Sequence, residues 1–419
     1  MEIHLNSATR KRLAIGAAAA LCLLYGLLAG RLFAAYIFSV RPELGSLQRA
    51  TRLDPRNAEY YNHVGRYYAL VSGDAGSAIE PYQAAVQLNP HSARYWFDLA
   101  SVYQVLGDVS NRGQALERAI TADPTKPDVA WEAANLYLVQ GDTDKASREF
   151  RVVLENDPAL ASRAMQLCWR INPDVDALLR DVVPARSAAY IAFLELLMAK
   201  GETEATAKVW AALMQSSETF PLRHVFDYFQ FLLNHKDIDE ARLVWQQSAS
   251  RFGLSSYLPS RSNLIVNGDF SLDVLNGGFD WQYDKQRSVT LTLDNSDSHG
   301  GGRSLQITFD GPGVTDAGIR QFIAVQPNTR YQFSGYYKNN GELEGAGGPH
   351  FTIQDAYTRT VLYDSDELKE PGFWKSATGE FTTAADCKLV ILHVRRLPEG
   401  SPIRGKLWID DFHLVAASQ

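Results

Sequence analysis

The sequence predicts a multidomain chain: an N-terminal transmembrane helix, an all-α superhelix of repeated hairpins, and an all-β sandwich at the C-terminal end. Three observations carry this. An uncharged apolar run lies near the N-terminus, two sets of markers recur together at a period near 34, and helical periodicity gives way after Phe252 to short alternating runs. The 419 residues, 46% of them apolar, can supply cores for two or three domains. The expected boundaries are 1–40 for a cytoplasmic stub and anchor, 41–252 for the repeats, 253–262 for a linker and 263–417 for the sandwich.

Arg10, Lys11 and Arg12 precede Leu13 to Gly30, an uncharged stretch rich in Leu and Ala. At about 1.5 Å per residue it crosses nearly all of a hydrocarbon core roughly 30 Å thick. Arg31 can snorkel, and the apolar character resumes from Leu32 to Val40, which suits a tilted span. The basic cluster favours a cytoplasmic N-terminus, with Arg31 and Arg41 on the far flank weakening the bias. A cleaved signal needs small residues one and three positions before the cut; Arg31 and Phe33 interrupt the only such region, Ala29 to Ala35. Leu21 before Cys22 likewise argues against lipidation. The expectation is a single-pass inner-membrane anchor with everything after it outside the cytoplasm.

In the next two hundred residues Pro55, Pro90, Pro124 and Pro158 each follow Asp or Asn, and Gly73-Asp74, Gly107-Asp108 and Gly141-Asp142 keep step with them. Between these markers fall Tyr61, Trp96 and Ala130, then Gly65, Ala100 and Ala134, then Tyr68, Tyr103 and Tyr137. A small residue on a bulky face lets two helices approach closely, Gly-Asp suits a turn, and Pro stops a helix. Each unit therefore reads as a helical hairpin. From Arg49 to Pro158 the pattern resembles the tetratricopeptide repeat family, with Ala78 and Ala146 at its small position in the second helix and Ala85 and Ala119 at its later one. Arg112 and Val153 depart from the pattern. Lys208-Val209-Trp210 and Leu243-Val244-Trp245 are weaker echoes, extending the hairpins to Phe252. The resemblance implies a protein partner in a groove lined by Asn62, Arg66, Phe97, Ser101, Gln104, Trp131 and Asn135.

Beyond the linker, alternating runs predict strands at Asn263 to Asn267, Ser288 to Leu293, Ser304 to Phe309, Ile319 to Val325, Tyr331 to Tyr337, Phe351 to Asp355, Glu380 to Thr383, Lys388 to Val394 and Lys406 to Val415. Many short strands between turn clusters imply an antiparallel sandwich. The opening Asn263-Leu264-Ile265-Val266-Asn267-Gly268-Asp269-Phe270 and the closing Leu407-Trp408-Ile409-Asp410-Asp411-Phe412, with Gln321, Pro327, Tyr331 and Trp374 between, resemble the jelly-roll carbohydrate-binding modules of families four and nine and their galactose-binding-like relatives.

The resemblance implies glycan binding. If Tyr331, Phe333 and Tyr337 face the core, then Gln332, Ser334 and Tyr336 share the opposite face. The same alternation groups His350, Thr352 and Gln354, and groups His393 with Arg395, as one candidate platform. Trp281 adds a candidate sugar-stacking ring, although Trp281, Trp374 and Trp408 all suit structural packing. Relatives often hold a structural calcium where first and last strands meet, which points to Asn267, Asp269 and Asp411; Ser271 stands where many carry Glu. No other cofactor is implied.

Composition excludes much else. A net charge of -7 with no basic cluster beyond the N-terminus argues against nucleic acid. Three cysteines in separate regions imply free, buried thiols. There is no nucleophile elbow, phosphate loop, paired histidine motif or identifiable acid/base pair of carboxylates, so no enzyme is expected. The function expected is an envelope adaptor between protein and glycan, in polysaccharide assembly or export. The alternative is a scaffold with protein contacts only.

Overall fold

The computed structural model describes residues 8–311, 313–369, 372–396 and 401–417, with Arg10 described by its backbone alone; positions 1–7 of the expected stub lie outside the described residues. The chain divides into two compact units, Met1–Glu218 and Thr219–Gln419.

The first unit holds twelve α-helices among its described residues: α1 (Ala8–Ser39), α2 (Leu44–Leu53), α3 (Ala58–Arg66), α4 (Ala75–Leu88), α5 (Ala93–Val105), α6 (Val109–Ala122), α7 (Pro127–Gln140), α8 (Thr143–Asn156), α9 (Ala161–Ile171), α10 (Val175–Asp181), α11 (Ser187–Lys200) and α12 (Thr203–Gln215). The Gly-Asp markers each do two jobs. Gly73, Gly107 and Gly141 take left-handed φ of 70°, 73° and 78°, which ends one helix, and Asp74, Asp108 and Asp142 then cap the next by accepting from the backbone N–H three residues on. The small position is equally literal. A Cβ on Gly65 would sit 2.6 Å from the Tyr82 ring, while Ala100 and Ala134 are buried. Of the two departures from the repeat pattern, Val153 is fully buried and Arg112 reaches Glu132 of α7 at 3.3 Å.

Helix α1 is long and apolar enough, from Lys11 to Ser39, to cross a membrane by length and composition. Its last turns do something else. Arg31 Nε donates to the Leu53 carbonyl at 2.5 Å, and Ala35 and Phe38 pack with Ala50 and Tyr60. The apolar run after Arg31, which the sequence offered as extra spanning length, is half of the first helical hairpin.

The second unit begins with α13 (Arg223–Asn234) and α14 (Ile238–Phe252) and continues into the sandwich. Its strands are β1 (Gln282–Tyr283), β2 (Val289–Asp294), β3 (Ser304–Gly311), β4 (Asp316–Ala324), β5 (Arg330–Asn339), β6 (Glu344–Gly345), β7 (Pro349–Asp355), β8 (Val361–Asp364), β9 (Lys375–Thr382), β10 (Leu389–Arg396) and β11 (Ile403–Ala416). They form a five-stranded sheet in the order β1-β4-β10-β7-β8 and a six-stranded one in the order β2-β3-β11-β5-β9, with β6 beside β11; the ladders are antiparallel. Between the sheets lie Phe270, Trp281, Ile307, Ile319, Phe333, Phe351, Leu392 and Phe412, all under 3% exposed.

Two boundaries differ from expectation. Asn263 to Asn267 forms no regular strand: backbone bonds join Leu264 to Leu414 and Gly268 to Phe412, and two carboxamides take the rest, Asn263 binding the Phe412 carbonyl and the Leu414 N–H and Gln321 both the N–H and the carbonyl of Val266. The supposed linker 253–262 is also no free tether. Trp245 Nε1 donates to the Tyr257 carbonyl at 2.9 Å and Tyr257 Oη donates to the Asp273 carbonyl at 2.8 Å. The last helical hairpin is built into the sandwich unit: Phe229 meets Phe279 edge-on at 4.8 Å, and Gly278 (φ 64°) lies where any Cβ would strike the Trp245 ring. Aromatic burial of this kind outweighs the helical repeat as the organiser of the boundary.

Candidate functional site

The two sheets present two outer faces, and the sequence-derived glycan residues divide between them. Gln332, Ser334 and Tyr336 lie on β5 of the six-stranded sheet, whereas His350, Gln354, His393 and Arg395 lie on β7 and β10 of the five-stranded one. Alternation groups residues along one strand, but which strands are neighbours depends on the crossovers, so the single platform was wrong. Trp281 belongs to neither face. It is 1% exposed, stacks on Phe270 at 5.1 Å and donates from Nε1 to the Asn267 carbonyl, so its ring is unavailable to a sugar.

On the five-stranded sheet the register builds rows. Gln282, Arg320, His393, Thr352 and Asp364 stand directly opposite one another across β1, β4, β10, β7 and β8. Asp316, Arg395 and His350 form the next row on one side, and Phe322, Ile391, Gln354 and Val361 on the other, followed by Ala324 and Leu389. One half of the face is polar and the other is apolar. Thr352, His393 and Gln354 are sunk to between 3% and 7% exposure.

The polar half is fastened from its edges. His393 Nδ1 lies 2.9 Å from Asp316 Oδ2, which places a proton on Nδ1. Thr352 donates to Asp364 at 2.6 Å, His350 Nδ1 donates to the Ser365 carbonyl at 2.6 Å, and Arg320 Nη1 reaches Asp284 at 2.5 Å. Two atoms lack partners: His393 Nε2 and Arg320 Nε are buried without a hydrogen bond among the described residues. Buried polar atoms are nearly always paired, so two on one outer face mark unmet hydrogen-bonding capacity.

Beside them opens a cavity of about 460 Å³, lined by Arg320, Phe322, Leu389 and Ile391 of the sheet, Ala356, Tyr357 and Arg359 of the β7–β8 turn, and Gln230, Leu233 and Asn234 of α13. Leu389 and Ile391 point away from the sandwich core, yet are 1% and 4% exposed. Tyr357 donates its hydroxyl to the Leu233 carbonyl at 2.7 Å, and burial, with Asp355 adding to it, pushes that phenol up to about 12, so it stays neutral. The size falls in the range of roughly 300–1,000 Å³ usual for small-molecule sites.

The other face is closed by its own contacts. The His299 ring stacks on Tyr336 at 3.5 Å, Trp374 Nε1 donates to Asp297 at 3.0 Å, Lys338 pairs with Asp297, and Gln332 donates to Glu380 at 2.9 Å. The calcium residues lie near this region and are engaged separately. Asn267 closes its own turn through both N–H and carbonyl of Leu272, Asp269 accepts from Ser271, and Asp411 sits between His299 and His413, each at 2.9 Å. Asp410, fully buried, accepts from the N–H groups of His299, Gly300 and Asp411. Among the described residues no group of three or more His, Cys, Asp or Glu converges on a metal position.

In the repeats, Asn62 is buried and donates to Asp98 at 2.9 Å, so it joins α3 to α5 and cannot face a groove. Trp131 packs edge-on against Phe150, and Phe97 is half-buried among its neighbours. Ser101 and Asn135 bond to carbonyls one turn back on their own helices. Arg66 and Gln104 are exposed.

Comparison with known proteins agrees with both halves. Residues 44–93 and 67–127 match a tetratricopeptide repeat model, and residues 262–397 match a carbohydrate binding domain model. A stretch of 109 residues is 28% identical to "Cellulose synthase operon protein C" of Pseudomonas fluorescens (strain SBW25), covering 26% of this chain and 8% of that protein. Another of 93 residues is 30% identical to "BBSome complex member BBS4" of Bos taurus, covering 22% and 18%. The chain thus spans under a fifth of either relative. Among solved structures, MamA aligns with 41% of this chain and 85% of its own at 20% identity and a TM-score of 0.25. The CBM22-1 xylan-binding domain of Paenibacillus barcinonensis Xyn10C aligns over 36% and 93% at 17% and 0.27. The chain carries tetratricopeptide repeats towards its N-terminus and a carbohydrate-binding-type module towards its C-terminus.

Proposed function

We propose that this chain is a membrane-anchored, non-enzymatic adaptor whose sandwich binds a glycan on the outer face of the five-stranded sheet while its repeats engage a protein partner. The observation that carries the reading is the row Arg320, His393, Thr352 and Asp364, with two buried nitrogens unpartnered beside a cavity. With its proton on Nδ1, His393 presents Nε2 as an acceptor for a sugar hydroxyl, and Arg320 Nε is a donor for a hydroxyl or ring oxygen. Phe322 offers the apolar surface that the C–H side of a sugar ring prefers. The similarity to a protein named for a cellulose synthase operon supports a place in polysaccharide assembly or export, and the apolar part of α1 supports anchoring with both units outside the cytoplasm.

Binding of the full chain in detergent micelles to immobilised polysaccharides tests this. His393→Ala should weaken retention about tenfold or more, as expected for a lost buried hydrogen bond and its stranded partners, while Tyr336→Ala leaves it unchanged. The opposite pattern would move the site to the six-stranded face. Retention on no polysaccharide would sink the glycan reading.

A further inference from the structure

The cavity beside the polar row has a chemistry of its own. Its walls hold two guanidiniums, Arg320 and Arg359, two carboxamides, Gln230 and Asn234, and the neutral Tyr357, with no carboxylate among them. Arg320 is half-compensated by Asp284 through Nη1. Arg359 is exposed, and its guanidinium forms no ion pair among the described residues. Lys236 adds a third positive charge close by, its ammonium 5.1 Å from the centre of the Tyr357 ring. Arg320, Arg359 and Lys236 face two carboxylates, Asp284 on Arg320 and Asp355 at the base of the Tyr357 turn, which still leaves a local positive excess on a chain whose net charge is -7.

Gln230 and Asn234 stand one helical turn apart and are already joined, Gln230 Nε2 donating to Asn234 Oδ1 at 3.0 Å. That bond leaves the Gln230 oxygen and the Asn234 nitrogen to offer, one acceptor and one donor, which is what a sugar hydroxyl pair requires. Both come from the helical hairpin, so the sheet alone would build only part of this site.

We infer that the cavity between α13 and the five-stranded sheet takes a carboxylate-bearing sugar residue, its carboxylate on Arg359 and Arg320 and its hydroxyls on Gln230 and Asn234. This rests on the glycan reading above and adds the charge class of the ligand and the contribution of the helical hairpin to recognition. Guanidinium is suited to the role because its planar fork matches a carboxylate in two parallel hydrogen bonds.

The experiment compares three polyuronates, namely polygalacturonate, alginate and hyaluronan, each with its carboxyl-reduced and therefore neutral derivative, on the full chain in micelles. At least one acidic polymer should bind about tenfold or more tightly than its reduced form, with the difference shrinking as salt rises. Arg359→Asn is the variant of choice, because Arg359 has φ of 62°, which asparagine tolerates. It should remove most of the preference for the acid form, so that the acid and reduced polymers bind this variant about equally. Asn234→Ala should weaken both forms. Equal binding of acid and reduced polymers, or full retention of the preference in Arg359→Asn, overturns the acidic-sugar assignment while the glycan reading stands. Unchanged binding in Asn234→Ala removes α13 from the site. Retention of neither form of any polymer overturns the glycan reading together with this one.

Discussion

The two outer faces of the sandwich are built from the same residue types and differ in how those residues are satisfied. On the six-stranded face, His299 covers Tyr336, Asp297 holds both Trp374 and Lys338, and Asp294 accepts from Trp408 at 2.7 Å and is held down to about 2 chiefly by Ser296 and Trp408. On the five-stranded face the carboxylates Asp316, Asp364 and Asp284 hold His393, Thr352 and Arg320 from the rim, while the floor keeps buried nitrogens with no partner among the described residues. A surface whose polar groups satisfy one another gains nothing from a ligand. One with buried, unmet groups gains their full hydrogen-bonding energy. An exposed aromatic is therefore a poorer guide to a binding face than an unpartnered buried nitrogen, and Tyr336 illustrates the first.

The strongest way to break the comparison is to remove what buttresses the five-stranded face. Trp245 is 1% exposed, wedged against Gly278 and packed with Phe229. Trp245→Ala should destabilise the second unit by about 3–5 kcal/mol, read by urea denaturation, and abolish glycan retention. A variant that still bound glycan normally would show that the hairpin plays no part in that face.

A second test addresses the six-stranded side. Burial pushes Asp410 up to about 6 despite its three backbone donors, against an ordinary 3.8. The folded state then binds this proton more tightly than the unfolded chain, so the stability that Asp410 contributes is fully present below pH 4 and is lost as pH rises towards 6. At about 1.4 kcal/mol per pH unit, the loss is about 3 kcal/mol. Asp280, also raised to about 6 by burial, contributes with the same sign. Asp410→Asn should flatten the melting temperature between pH 4 and 7 by its share; an unchanged profile would refute the assignment.

The smallest effect expected is Tyr336→Ala. Its ring stacks on His299 and is only half-buried, so the cost should be about 1 kcal/mol in thermal melting. A loss of several kcal/mol would mean that the β2–β3 loop depends on this stack for its position.

Legibility in the sequence followed the range of the forces involved. The repeat hairpins were readable because caps, turns and small packing positions act within a few residues: Gly141 and Asp142 do in space what their types imply in sequence. Strand existence was readable on the same grounds, and Tyr331, Phe333 and Tyr337 do face the core. Asn62 misled because its helix position is that of a groove residue, while its amide found Asp98 thirty-six residues away. Arg320 and Asp316 were missed as partners of His393 because β4 and β10 are far apart in the chain, and Asp364 was missed as the partner of Thr352 because the sequence predicted no strand at Val361–Asp364. Gln230, Asn234 and Arg359 were missed because no local pattern links a helix that looks like one more repeat to a turn more than a hundred residues later.

By itself, the sequence determined three kinds of segment, their order and their periods, since helix capping, strand alternation and apolar run length are local properties of the chain. Only the tertiary structure decided which sheet each candidate residue joined, that the last hairpin belongs with the sandwich, and which polar atoms were left without partners. Those outcomes depend on register and on packing between distant segments, where one crossover moves a whole strand, with every side chain on it, to the opposite side of the molecule.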